Sequence, residues 1–300
     1  MEQTVIQRPL PDAEHKRKRA IRLSRVLGRA LIYFALLFMG AGFAMPLLWM
    51  VSTSLKTDPQ VYHVPPIWFP NPLRLRNYPE MLSQYPFGVY LVNTLRYALP
   101  TSVGVMVSSA LVGYSFARIS WWGRDVLFFL CLATMMIPFQ VTMIPLYLIF
   151  RNLGWLNSYK PLVIPTFFGN AYYIFLLRQF FLTIPQAISD AAHVDGASEL
   201  CIFLRIVLPL SRPVLAVVCL FQFMGAWNNY LGPLIYLNRE DLFPLALGLQ
   251  QMRPLMTQAK ALLWPYLMAA STCVVLPVII IFFLAQRTFV EGITVTGLKG

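Results

Sequence analysis

The sequence predicts an all-α membrane protein with six transmembrane helices, and three observations predict it. Of its 300 residues, 58% are hydrophobic and only 12% charged, with a mean hydropathy of +0.61. Soluble domains carry about a quarter charged residues. The apolar surplus falls in continuous runs of about 20 residues, long enough for a helix to cross a bilayer and unlike the period-2 alternation of a barrel. The net charge of +12 is concentrated before the first run, at Lys16, Arg17, Lys18, Arg19, Arg22, Arg25 and Arg29. That placement is the positive-inside pattern, which puts the N-terminus in the cytoplasm. No recognition module accompanies the basic segment, so membrane lipid and not nucleic acid is its expected partner.

Residues 1–26 form the basic segment, 27–284 the six-span domain and 285–300 a tail. The first span, 27–51, exceeds a signal-peptide core and lacks a small-residue cleavage site, so it reads as retained. Residues 53–86 are rich in Pro and aromatics (Pro65, Pro66, Trp68, Pro70, Pro72, Tyr78) and predict an external loop on the membrane surface. The second span covers 90–116, and an internal turn follows at Arg118–Arg124. The third covers 126–150, with Pro138 and Pro145 predicting a bend. After a short external loop at 151–160, the fourth covers 162–181. An internal loop at 182–212 precedes the fifth, 213–237, and an external loop at 238–260 precedes the sixth, 261–284. Six spans return the C-terminus to the cytoplasm. Cys131, Cys201, Cys219 and Cys273 show no C-x-x-C spacing and read as small buried hydrophobes.

The 182–212 loop carries a long spaced pattern: Asp190-Ala191-Ala192, then Asp195-Gly196-Ala197, then Ile206, Leu208 and Pro209. Thr183 and Pro185 suit a helix start. Ile188, Ala191, Ala192 and Asp195 then share one face, small enough at the alanines for close approach of another surface, while Asp190 points elsewhere, free to meet a cation. Gly196 supplies a left-handed stop and Ser198 a cap for a second helix. Its predicted apolar stripe is Leu200, Phe203, Leu204, Val207 and Leu208, ended by Pro209. An ordinary amphipathic connector lying on the membrane is the bland reading of the same residues.

The full pattern resembles the EAA loop of permease subunits in ATP-binding-cassette importers, with Asp190 standing where that family more often has Glu. The chain is similar over essentially its whole length to carbohydrate-type permeases, the group of the maltose and glycerol-3-phosphate permeases. Ala226-Trp227-Asn228-Asn229-Tyr230 looks like the family's Trp-Asn-Asp-Phe segment, with Asn229 for Asp and Tyr230 for Phe. The tail from Glu291 to Gly300 resembles the glycine-ended tail of the maltose-type second permease, which reaches between two ATPases; a frayed terminus is the other reading. The resemblance implies the type I importer permease fold, with the Asp190–Gly196 loop as coupling helix and Asp190 paired to a basic residue of the ATPase. It also implies a second homologous permease, two ATPase subunits, an external sugar-binding protein, and a bacterial or archaeal inner membrane. The chain has no Gly-x-x-x-x-Gly-Lys-Ser/Thr loop, so it is expected to bind no cofactor, with ATP and magnesium on the partner ATPase.

Polar groups inside spans are costly and often functional. Gln140, Asn170, Asn228 and Asn229, with Tyr173 and Tyr230, are the candidate lining of a substrate pathway. Amides supply donors and acceptors and aromatics supply flat faces, which suits an uncharged polyol. Each is equally an interhelical hydrogen bond that holds the bundle together. Met135, Met136 and Met143, and the dispersed His15, His63 and His193, make no metal set. The function predicted is the permease subunit of an ATP-driven sugar importer. Rival readings are a permease for another solute, such as an amino acid or phosphate, a stand-alone secondary transporter or channel, and a membrane enzyme; the last lacks any nucleophile–base pair.

Overall fold

The computed structural model describes the backbone of residues 11–258 and 264–297 and the side chains of 25–252 and 264–286; within these the chain is helical, with no strand. Helix α1 (Pro11–Ser54) carries the basic segment directly into the first apolar run. Its 25–43 stretch is exposed all round, as suits a helix that meets lipid or another chain, and it becomes buried only at its close, at Thr53 and Ser54. Beyond it the Pro-rich stretch holds a four-residue turn at Asp58–Val61, closed by a Thr57–Gln60 capping box, and then helix α2 (Asn77–Gln84). Asn77 is buried and donates from Nδ2 to the Ser54 and Lys56 carbonyls, both at 2.8 Å, which ties α2 to the end of α1.

Helix α3 (Phe87–Arg118) is the spine. One face carries Ser102, Ser109, Ala110 and Gly113, all buried. In lipid there is little hydrophobic gain from pairing helices, so close packing of small residues has to supply the attraction. Gly113 shows it: a Cβ there would stand 3.2 Å from the Ile174 carbonyl oxygen and 3.3 Å from Leu177 Cβ. Helices α4 (Arg124–Thr134) and α5 (Phe139–Asn152) follow, joined at 96° across Met135–Pro138, so the predicted bend of the third span is a break.

The fourth span is not one helix. A short turn at Lys160–Val163 runs into a 3-10 segment to Phe168, and Gly169 (φ +88°) stops it. Asn170 then caps helix α6 (Ala171–Thr183) by accepting from Tyr172 N at 3.0 Å. Thirteen residues of α6 rise about 20 Å, less than a bilayer core. Helices α7 (Gln186–Val194) and α8 (Glu199–Leu210) form the motif loop. Helix α9 (Arg212–Trp227) leaves α8 at 79° and stops at Asn228–Tyr230, and helix α10 (Leu231–Tyr236) completes the fifth segment, so this span too is broken. The 238–260 stretch, expected as loop, contains helix α11 (Leu245–Gln258). Helix α12 (Trp264–Gly297) carries the sixth span and continues through most of the tail. Residues 1–10 and the last three of the tail, 298–300, lie outside the described residues.

The largest core cluster sits at the α3 C-terminal end. Tyr114, Leu177, Phe181, Ile202, Phe203 and Val207 meet there, and the motif loop is built on it. At the other end of α3, Asn93 Nδ2 donates to the Asp241 and Phe243 carbonyls at 2.7 and 3.1 Å, and Thr94 Oγ1 accepts from Leu245 N at 2.8 Å.

Candidate coupling surface and membrane cavity

The motif loop is held by α3. Arg118, its last residue, donates from Nε and Nη2 to the Phe181 carbonyl at 3.1 and 2.6 Å, from Nη2 to the Ile184 carbonyl, and from Nη1 to Gln186 Oε1. Gln186 Nε2 donates to Asp190 Oδ1 at 3.3 Å. A single guanidinium therefore serves the carbonyls that end α6 and reaches, through Gln186, the acidic residue of the motif. Sequence reading missed Arg118. Its signal was a lone arginine at the end of an apolar run.

Pro185 caps the start of α7; Thr183, expected there, closes α6 instead, donating from Oγ1 to the Phe180 carbonyl at 2.7 Å. Ser189 and Ala192 turn inward, Ala192 into the core cluster. Asp190, Ala191, His193, Val194 and Asp195 are exposed, with Val194 at 89%. The two alanines thus divide their work. Ala191 is on the open face and Ala192 seats the helix, because a larger side chain at 192 would need room in the core cluster beneath α7.

Gly196 ends α7 at φ +80°. Its N–H meets the His193 carbonyl at 3.0 Å and Ala197 N–H meets the Ala192 carbonyl at 2.9 Å, the paired bonds of a Schellman stop. Ser198 caps α8, its Oγ accepting from Cys201 N at 3.4 Å. The buried stripe of α8 is Ile202, Phe203 and Val207; Leu200 and Leu204, expected in it, are exposed. The 203–207 segment is π-helical, and the wider turn rotates the apolar face away from 3.6-residue spacing. Ile206 and Leu208 are half-buried against the same core, and Pro209 is exposed in the last turn of α8, with the chain turning after it at the buried Ser211.

Between α5, the broken fourth segment and the α9–α10 break lies a cavity of about 740 Å³. That size suits a small-molecule site. Asn170 and Asn229 line it, as expected. So does Gln222, which the sequence reading passed over although it is an amide inside an apolar run like the others. Phe150, Trp155 and Phe168 add ring faces. The remaining candidates lie elsewhere. Tyr173 is buried in the core cluster beside α3. Asn228 Nδ2 donates to the Met224 carbonyl at 2.9 Å, closing α9. Gln140 is exposed near the start of α5, and Tyr230 is 37% exposed outside the cavity lining. Among the described residues, the lining carries no charged side chain.

Residues 109–295 match the family described as binding-protein-dependent transport system inner membrane component. The chain is 32% identical to the arabinooligosaccharides transport system permease protein AraQ of Halalkalibacterium halodurans, over 95% of this chain and 100% of that one. It is 32% identical to the sn-glycerol-3-phosphate transport system permease protein UgpE of Yersinia pestis, over 81% and 87%. Its fold superposes on the crystal structure of a bacterial ABC transporter involved in the import of the acidic polysaccharide alginate, with a TM-score of 0.78 at 24% identity, covering 89% of this chain and 97% of that one. The match runs from the last third of α3 into α12 and contains the whole helix–glycine–helix loop, and the chain belongs to the binding-protein-dependent transport system inner membrane component family.

Proposed function

We propose that this chain is the permease subunit of an ATP-driven, binding-protein-dependent sugar importer of a bacterial or archaeal inner membrane. The observation that carries it is the α7–Gly196–α8 unit, an acid-tipped surface braced on the spanning bundle and exposed for a partner. In this reading both termini and the motif loop face the cytoplasm. A second, homologous permease completes the pathway, two ATPase subunits bind ATP and magnesium, and an external binding protein delivers the sugar. The subunit itself catalyses nothing and holds no cofactor. Asp190, Asp195 and the exposed tip meet the ATPase, and Ala192, Ile206, Leu208 and Pro209 shape the support beneath. Closure of the ATPase pair moves the loop as a rigid body and switches the pathway between two states. Sugar as cargo is supported by the amide-and-aromatic cavity and by the names of the relatives.

The test is isolation of the subunit from its native membrane with whatever it carries, followed by ATPase assays against a panel of sugars and the associated binding protein. An ATPase that co-purifies and speeds up with one loaded binding protein is the expected result. A chain recovered alone that still passes solute in vesicles would overturn the reading in favour of a secondary transporter or channel.

A further inference from the structure

The stop at Gly196 makes α7 and α8 two bodies joined by a four-residue link, Asp195–Ser198. A link of that kind can absorb a push as easily as pass it on. One side chain spans it. Glu199, in the first turn of α8, accepts a hydrogen bond at Oε2 from the Tyr114 hydroxyl of α3 at 2.7 Å. Its other oxygen, Oε1, lies 3.2 Å from His193 Nε2 in the last turn of α7. Tyr114 is 5% exposed and is wedged between Phe181 and Phe203, with ring centroids 6.3 and 4.9 Å away. Its hydroxyl is therefore fixed to the spine, and the carboxylate it holds is fixed with it.

We propose that Glu199 is a positioning residue for energy coupling: through its two oxygens it braces the coupling helix α7 against the spine α3 across the Gly196 hinge, so that movement of α7 reaches the membrane bundle undiminished. The contact to His193 is half-exposed on both sides, and exposed pairs add little to stability. Its value is geometric, since it ties the last turn of α7 to α8 and α3, where otherwise only the buried Ala192 and the link itself hold that end. Arg118 secures the start of α7 through Gln186, and Glu199 secures its end. Both straps run back to the last five residues of α3.

The inference rests on the importer reading, and its test separates the two. The complete transporter is reconstituted with its binding protein, and solute moved per ATP hydrolysed is measured for wild type, Glu199→Ala, Glu199→Gln and Tyr114→Phe. If wild type shows no solute-stimulated ATPase, the importer reading itself fails. If wild type couples, Glu199→Ala is expected to keep its ATPase subunits through purification and hydrolyse ATP, but to move about fivefold less solute per ATP or lower, the scale of coupling between sites. Glu199→Gln keeps an acceptor for Tyr114 and a polar group towards His193, and it is expected to recover most of the ratio. Tyr114→Phe removes one hydroxyl and leaves the ring packing, so it remains informative if Glu199→Ala does not insert; it is expected to uncouple in the same direction. An unchanged ratio in Glu199→Ala or, where that variant does not insert, in Tyr114→Phe would overturn the proposal. So would loss of the ATPase from an inserted Glu199→Ala subunit, which would make Glu199 an assembly contact.

Discussion

At Gly196 the backbone sits at φ +80° and its N–H bonds to the His193 carbonyl, with open space where a Cβ would stand. The constraint is therefore conformational and not steric crowding. Proline forces φ near −65° and removes the N–H, so Gly196→Pro breaks both features of the stop. Uptake is expected to be lost while membrane abundance stays at the wild-type level on an immunoblot. Gly196→Ala pays only the left-handed penalty of about 1–2 kcal/mol and is expected to retain reduced uptake. Glu80 gives a second single-residue test at the other end of the molecule. The Tyr266 hydroxyl at 2.6 Å and the Arg74 guanidinium at 2.9 Å hold its carboxyl below the usual 4.5. A depressed folded pKa stabilises the fold above the unfolded value, and that share is lost as pH falls through the folded value. The melting temperature of wild type in detergent should therefore exceed that of Glu80→Gln at neutral pH. The gap should close below about pH 4.5, the usual value it starts from. A gap independent of pH would dismiss the ion pair as its source.

Among the elements, α3 and α6 make the contact that carries the motif loop, and Gly113 sets their distance. Gly113→Leu must drive α6 from α3. Overpacking of this kind costs about 1–3 kcal/mol, read as a lower unfolding temperature. Because α7 follows α6 after only Ile184 and Pro185, the same shift should expose the loop to protease. Arg118→Ala leaves the Ile184 carbonyl without its donor and the Phe181 carbonyl with only the Ile184 N–H at 3.3 Å, at about 1–3 kcal/mol for an unsatisfied buried acceptor. The same faster cleavage of the loop is its expected signature. These two elements also show what a sequence carries and what it does not. The Gly196 stop and the Ser198 cap were legible because each is a local rule acting on neighbouring residues. Ala192 was legible as a small residue but not as a buried one, because the core cluster it enters is built partly from α3, some 75 positions or more away in the chain. The stripe of α8 was misplaced because a π-helical turn has no sequence period of its own. Breaks at Gly169–Asn170 and Asn228–Tyr230 were hidden inside hydropathy that averages over a whole span. Those breaks border the cavity, so the pathway residues were the least legible part: Asn170 and Asn229 reach it, whereas Tyr173 and Asn228, within three residues of them, do not.

On the scale of the whole molecule, α3 is the measuring rod. Its 32 residues span about 48 Å at 1.5 Å per residue, more than the hydrocarbon thickness of a bilayer. Its first turns hold the 241–245 stretch through Asn93 and Thr94, and its last residue holds α7 through Gln186. The Pro-rich stretch belongs to the first end, since Asn77 binds the close of α1 and α2 leads into α3. The two ends must therefore lie on opposite sides of any membrane that α3 crosses. Phe69, 91% exposed, marks one side and Val194, 89% exposed, the other. In a background with the four native cysteines replaced, a membrane-impermeant maleimide added to right-side-out vesicles should label Phe69→Cys and spare Val194→Cys. Inverted vesicles should give the reverse, and added ATPase subunit should then protect Val194→Cys. Labelling of both positions from one side would refute the arrangement of α3 across the bilayer. Correct sidedness without protection would leave the topology intact and remove the exposed tip of α7 from the ATPase contact, because Val194 is its most exposed apolar residue and any surface docked there must cover it.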